Sequence, residues 1–382
     1  MVLAVSDVLI YGDTFRSPEL RHEVPVAIPD AFLYAEREGL RHVVVPSLEV
    51  PRLQGLGLEV HATEEFGVDE LRRGGLSYDV LADEVTLRAV KGLGVDRAVV
   101  PAAFPLRLGD KLRGAGIELE PDGSFFDDRR RVKNVAEIAG IRRAQAAAEA
   151  GMAAAAEFLR RARRNGGDVL EVGGEPLTSE RIKLAISQAF VDNGASAEEF
   201  IVSHGAQAAI GHHMGTGAIR AGETVVIDLS PRDSESSCVA DMTRTFVVGP
   251  VSDEVAEWHR LCLEALERAV ADTRPGVQAR SVFDGTCEIF EAAGYPTQRT
   301  KAAGKPLEDG FFHSLGHGVG LEVHEAPILG MTGHVDLVAG DVLAIEPGLY
   351  RAGVGGCRLE DLVLVTPDGA ETLTRFPYDL AP

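Results

Sequence analysis

A chain of 382 residues, 45% hydrophobic and 25% charged, is long enough for two domains, each with a core of its own. Its formal net charge of −21 opposes nucleic acid and anionic membrane as main partners, because phosphate binding needs a positive field. No apolar run reaches the roughly 18 residues of a membrane span. The opening MVLAVSDVLIYGDTF lacks a basic leader region, and Cys238, Cys262, Cys287 and Cys357 form no CxxC pair, so a cytoplasmic protein with reduced thiols is expected.

Residues 1–129 alternate short apolar runs (RHVVVPS, DRAVVPA, GIELEP) with helical patterns (DAFLYAEREG at 30–39, DVLADEVTLRAVKGLG at 79–94), which predicts a small α/β domain. The basic stretch DDRRRVKN leads into an Ala-rich helical pattern that starts after Asn134 and stops at Gly166 and Gly167, placing a domain boundary near residue 130. Further helices are predicted from the N-cap Thr178, from Ser252, and over SVFDGTCEIFEAAG, which closes at Gly294. ETVVIDL, DMTRTFVVG, DVLAIEPGLY and CRLEDLVLVTPDG read as strands bounded by Gly, Pro or Asp, so residues 130–382 form an α+β domain. A helix followed by an acidic residue on a strand recurs in both halves of that domain, a weak internal repeat.

Carboxylates stand where apolar residues are expected. Asp228 ends the run TVVIDL and Asp241 precedes a strand; each taken alone reads more readily as a turn or cap residue. Glu346 follows Leu343, Ala344 and Ile345 directly, and Glu360 and Asp361 lie inside CRLEDLVLV, where an unpaired buried carboxylate is costly. Several such acids repel one another unless cations sit among them, which points to divalent metal; a buried arginine network through Arg244 and Arg358 is the alternative. Oxygen ligands with one imidazole suit Mn, Co, Fe or Zn, and two such ions sharing carboxylates would activate a water for hydrolysis.

In HSLGHGVGLEVH, residues 313–324, the i, i+4 spacing of His313 and His317 matches a helical metal pair, but Gly316, Gly318 and Gly320 oppose a helix. On a strand the glycines would let the backbone approach a ligand or metal cluster, and parity puts His317 on the face of His313 rather than that of His324.

With these residues assembled, the chain resembles the metallopeptidase family of Xaa-Pro dipeptidases, aminopeptidases P and methionine aminopeptidases, which shares the pita-bread fold with creatinase. The resemblance is carried by VVIDL, DMTRTF, GHGVGLEVHEAP, AIEPGLY and CRLEDLVLV, in the family's order. It implies a pita-bread α+β catalytic domain at 130–382 preceded by a creatinase-type α/β domain at 1–129. It implies Asp228, Asp241, His317, Glu346 and Glu360 as ligands of two divalent ions, with Asp241 and Glu360 bridging; manganese is foremost, with cobalt, zinc or iron as alternatives. His324 would hydrogen-bond the scissile carbonyl or tetrahedral intermediate, Glu346 would shuttle a proton to the leaving nitrogen after attack by a bridging water or hydroxide, and His313 would shape the pocket. SHGAQAAIGHHMGTG resembles the loop whose histidine contacts substrate; the count from Gly205 favours His212, with His213 as alternative. Arg358 matches an arginine that helps to hold the substrate's C-terminal carboxylate, or else forms an ion pair in the strand layer. The extra domain places the chain in the prolidase, aminopeptidase P and creatinase branch and implies a homodimer.

Two departures stand out. Asp228 and Asp241 are 13 residues apart, longer than the family's usual spacing; the insertion falls in the polar turn SPRDSESSC, where added residues cost little and would touch only the rim of the pocket. HEAPILGMTGHVDLVAGD lacks the arginine with which many prolidases bind a dipeptide's carboxylate, leaving His334 as a weaker substitute. The expected activity is metal-dependent hydrolysis of the Xaa-Pro bond in proline-containing dipeptides or short peptides. A metal-free creatinase-like amidinohydrolase and a non-catalytic peptide-binding module are the alternatives.

Overall fold

A six-stranded mixed sheet forms the first of two units into which the chain divides, Met1–Arg130 and Arg131–Pro382. The computed structural model describes residues 6–382, so the first five residues of the predicted leaderless opening lie outside the described residues. Spatial order in the sheet is Glu59–Ala62, Leu40–Val45, Phe32–Arg37, Val8–Gly12, Arg97–Val100 and Glu118–Pro121, antiparallel in the middle and parallel toward both edges. Both faces are buried: Val8, Ile10, Tyr34 and Val43 enter one core, while Leu9, Leu33, Ala35 and Val44 enter another against Ala89, Val90, Leu108 and Leu112.

That double burial corrects the helix predicted at 30–39. Phe32–Arg37 is a strand whose first four residues are all buried. A strand covered on both faces shows no polar alternation, so good helix formers such as Ala35 and Glu36 misled a reading based on period. The helix predicted at 79–94 is present as Tyr78–Gly92.

The second unit repeats one construction twice. In its first half, helices Val135–Arg161 and Ser179–Asp192 pack on an antiparallel sheet of Ile201–His204, Thr224–Leu229 and Met242–Val247. In its second, helices Asp253–Asp272 and Ala279–Ala292 cover a sheet ordered Glu325–Leu329, Gly316–Gly318, Val342–Ile345, Asp361–Thr366 and Gly369–Thr372. The predicted caps hold. Asn134 accepts from the Glu137 amide while Glu137 reaches back to Asn134 N, and Thr178 and Ser252 accept from Arg181 N and Val255 N; each cap is worth about 1 kcal/mol.

The halves join edge to edge. Glu360 N donates to Thr243 O at 3.0 Å, Thr245 Oγ1 donates to Arg358 O at 2.9 Å, and Arg358 N donates to Thr245 Oγ1 at 3.0 Å. The carboxylate-bearing strands of the two halves thereby become neighbours. All four cysteines are buried free thiols, and no helix among the described residues is long and apolar enough to cross a membrane.

Candidate metal centre

Strand register decides which acids meet. Asp228 lies opposite Thr243, and Asp241, two residues before Thr243, shares its face. Thr243 Oγ1 donates to Glu360 Oε2 at 2.6 Å, so Glu360 points to the same side. Its neighbour Asp361 points to the other side, where it pairs with the buried Arg244 at 2.9 Å and accepts from the Tyr378 hydroxyl at 2.5 Å. Arg244 is fully spent there. It lies over the Tyr378 ring at 4.4 Å and donates to the carbonyls of Thr243, Glu360, Phe376 and Pro377.

On the first face Asp241, His317 and Glu360 each present a ligand atom within 4.8 Å of the others. His317 Nε2 lies 3.8 Å from Asp241 Oδ2 and 3.7 Å from Glu346 Oε1. Its Nδ1 is 3.1 Å from the Gly318 carbonyl, which can only accept, so the ring proton sits on Nδ1 and Nε2 is free toward the acids. Asp228 lines the same cavity but is held by Arg358 Nη2. The cavity, of about 600 Å³, is lined by all five predicted ligands and by His212, His313, His324 and Arg358.

The electrostatics of this face are unresolved by protein groups alone. Asp241 Oδ1 is buried with no hydrogen-bond partner. Burial, then the charges of Glu360, Asp228 and Glu346, holds the Asp241 carboxyl well above the usual range; burial and the charges of Asp228 and Glu346 do the same to Glu360. Burial, only partly offset by Arg358, pushes Glu346 up to about 8, and burial with the neighbouring His324 pushes His317 down to about 4. A buried carboxylate oxygen without a partner, among mutually repelling acids and beside a neutral imidazole, is what a divalent cation relieves, and an oxygen-rich set with one nitrogen fits Mn, Co, Fe or Zn.

The histidine segment folds differently from its parity. Only Gly316–Gly318 is strand, a register shift falls between His317 and Gly318, and the chain then turns through 319–324. His324 therefore comes back to the face of His317, with ring centroids 4.3 Å apart. The glycines admit neighbouring strands rather than metal. A Cβ on Gly316 would lie 1.9 Å from Ala344 O, and one on Gly318 would lie 2.2 Å from Ala326 O. His313 is pinned by Ser314 O at 2.7 Å and Tyr350 Oη at 2.9 Å, and burial pushes its pKa down to about 3.

Elsewhere the structure separates the alternatives. His212 lines the cavity, whereas His213 turns back to accept from Gly215 N at 3.0 Å. Arg358 gives one donor each to Asp228, to Tyr350 Oη at 2.8 Å and to Thr243 Oγ1 at 3.3 Å, the arrangement of an ion pair within the strand layer. His334 is exposed and does not line the cavity, so it does not replace the missing arginine. The lengthened turn places Ser230 on the cavity wall, and beyond it Arg232 and Asp233 pair with Ser196 and Ala195.

Thr243 and Tyr350 were not singled out in the sequence. Thr243 was legible from its two-residue offset to Asp241; Tyr350 carried no signal beyond its place in EPGLY.

Residues 139–367 match metallopeptidase family M24. The chain is 31% identical over 298 residues to the Xaa-Pro dipeptidase of Pyrococcus horikoshii, covering 77% of this chain and 76% of that one. It is 38% identical over 191 residues to the Xaa-Pro dipeptidase of Pyrococcus furiosus, a match that spans about half of each, 49% of this chain and 51% of the relative. The solved prolidase from Pyrococcus furiosus superposes with a TM-score of 0.75 at 25% identity, covering 98% of this chain and 97% of that one. The chain belongs to metallopeptidase family M24 and has its pita-bread fold.

Proposed function

We propose that this metallopeptidase hydrolyses the bond between an N-terminal residue and proline in dipeptides or short peptides, using two divalent ions held by Asp228, Asp241, His317, Glu346 and Glu360. The observation that carries the proposal is the buried set of acids around His317, with Asp241 Oδ1 left without a partner. Relatives named Xaa-Pro dipeptidase support the choice of bond. The presence of all five residues along one cavity favours this reading over a metal-free amidinohydrolase and a binding module.

Held by these residues, divalent ions would supply Lewis-acid polarisation of a peptide carbonyl and a water acidified toward neutrality. Around them the chain's own groups divide the work. His317, neutral at physiological pH, is ready to ligate. Glu346, on the cavity wall beside His317 Nε2, takes up and returns a proton toward the leaving nitrogen. His324, beside His317, hydrogen-bonds the scissile carbonyl, and His212 contacts substrate from its loop. Arg358 orients Asp228 first and meets a substrate carboxylate only as an already paired cation.

Among the described residues lining the cavity, Arg358 is the one arginine and there is no lysine, which favours peptides longer than a dipeptide. Manganese as the natural ion, a homodimer, a cytoplasmic location and a creatinase-type domain at 1–129 complete the proposal, on the strength of the resemblance. Incubation of Mn²⁺-loaded protein with equal amounts of Ala-Pro and Ala-Pro-Ala, followed by mass spectrometry beside a chelated sample, tests it. Chelator-sensitive cleavage, faster for the tripeptide, is expected; no cleavage of either peptide would overturn the prolyl specificity.

A further inference from the structure

Lys133 and Glu325 form an ion pair whose side chains are 2% and 3% exposed. They lie 192 positions apart in the chain, and neither lines the catalytic cavity. Such a pair is poor stability engineering. Desolvation offsets most of the Coulombic gain, and an apolar pair of similar volume is often as stable. The local geometry shows what the charges organise.

Glu325 Oε1 accepts from Leu321 N at 2.8 Å and from Glu322 N at 3.1 Å, closing the turn that ends at His324. Its other oxygen, Oε2, takes the Lys133 ammonium. The backbone of the turn is braced from outside as well: Val239 N donates to Gly320 O at 2.7 Å and Arg232 Nη1 to Leu321 O at 2.8 Å. Gly320 leaves room for the pair, since a Cβ there would lie 2.6 Å from both Glu325 Oε2 and Lys133 Nζ. The residue immediately before Glu325 is His324, whose ring stands 4.3 Å from that of the ligand His317.

We propose that the buried Lys133–Glu325 ion pair is a positioning pair for the peptidase reaction, fixing the turn that holds His324 beside the metal ligands. The proposal rests on the role given to His324 above. Glu325 acts through its neighbour: its carboxylate fixes two turn amides, and Lys133 fixes the carboxylate. Displacing a substrate-contacting group by about 1 Å can cost up to a hundredfold in rate, so a well-set turn matters to turnover without touching metal loading.

The test compares native protein, Glu325→Gln, His324→Ala and the double variant, all Mn²⁺-loaded, on Ala-Pro-Ala. Glu325→Gln is expected to lower kcat about tenfold with KM and bound manganese unchanged, and to cost less than about twofold when His324 is already Ala. Hydrogen exchange of the amides in 319–324 is expected to quicken about tenfold while that of 342–345 stays native. An equal loss in both backgrounds, a loss that follows manganese content, or native exchange in the turn would overturn the proposal. Should Glu325→Gln not fold, Gly320→Ala keeps both charges while forcing them apart and carries the same expectations. If the native protein cleaves no prolyl peptide, the functional reading fails, and the exchange measurement still decides whether the pair sets the turn.

Discussion

Glu360 and Asp361 are adjacent acids at the head of one strand, both 1% exposed, yet they meet opposite surroundings. Asp361 faces a buried arginine and a tyrosine hydroxyl that satisfy it completely. Glu360 faces Asp241, Asp228 and Glu346, with one short hydrogen bond from Thr243 and a carboxyl pushed well above its usual range by burial and those charges. The difference separates two uses of a buried charge. One face is closed by protein groups and holds the C-terminal segment; the other is left short of positive charge, and that shortage is the signature of a cation site.

The sharpest way to break the comparison is to exchange roles. Glu360→Gln or Asp241→Asn is expected to remove metal binding and to lower kcat/KM on a prolyl substrate by roughly a thousandfold or more, read by metal analysis and steady-state kinetics. The metal-free variant should be at least as stable to heat as metal-free native protein, because a repelling buried acid has been neutralised. Asp361→Asn, one position along, should do the reverse. Leaving Arg244 uncompensated is expected to destabilise the fold by about 3–5 kcal/mol, seen in urea unfolding, while the folded fraction keeps its manganese and its kcat.

pH sharpens the same contrast. The Glu346 carboxyl is raised from about 4.5 to about 8 in the metal-free fold, so between those values the native state holds a proton that the unfolded chain has lost. Metal-free stability should therefore fall as pH rises through that window. Manganese affinity should rise over the same window by up to about tenfold per unit for each proton displaced, measured by calorimetry in buffers of different ionisation enthalpy. A flat affinity would show that the acids are already ionised without metal. The smallest effects belong to the loop pair: His212→Ala should lower kcat/KM by about tenfold and His213→Ala by less than about twofold.

Much of this was legible. Asn134, Thr178 and Ser252 marked helix starts because capping is local chemistry. Glu346 and Glu360 were legible because each follows or interrupts an apolar run, whereas Asp228 and Asp241 gained weight only from the company of the other acids. What sequence could not do was sort neighbours that differ only in the face they take. Glu360 and Asp361 looked alike until register separated them, and of the two arginines weighed as a rival network, Arg244 closes the face of Asp361 while Arg358 stands among the acids beside Asp228.

Failures share a cause. Parity placed His324 away from His317 because it assumed a continuous strand, but the chain turns after Gly318. The helix expected at 30–39 is a strand because burial on both faces is a tertiary fact. Lys133 stood unremarked in a basic stretch, since nothing local reveals that its partner lies near residue 325.

The central claim is that the side of the acids left short of charge holds two divalent ions. Anomalous diffraction from crystals grown with Mn²⁺, collected at an energy where manganese scatters strongly, tests it most directly. Two peaks are predicted among Asp228, Asp241, His317, Glu346 and Glu360, with Asp241 and Glu360 reaching both and none beside Asp361. Absence of manganese from that cavity at saturating concentration, or its appearance elsewhere in the chain, would contradict the account.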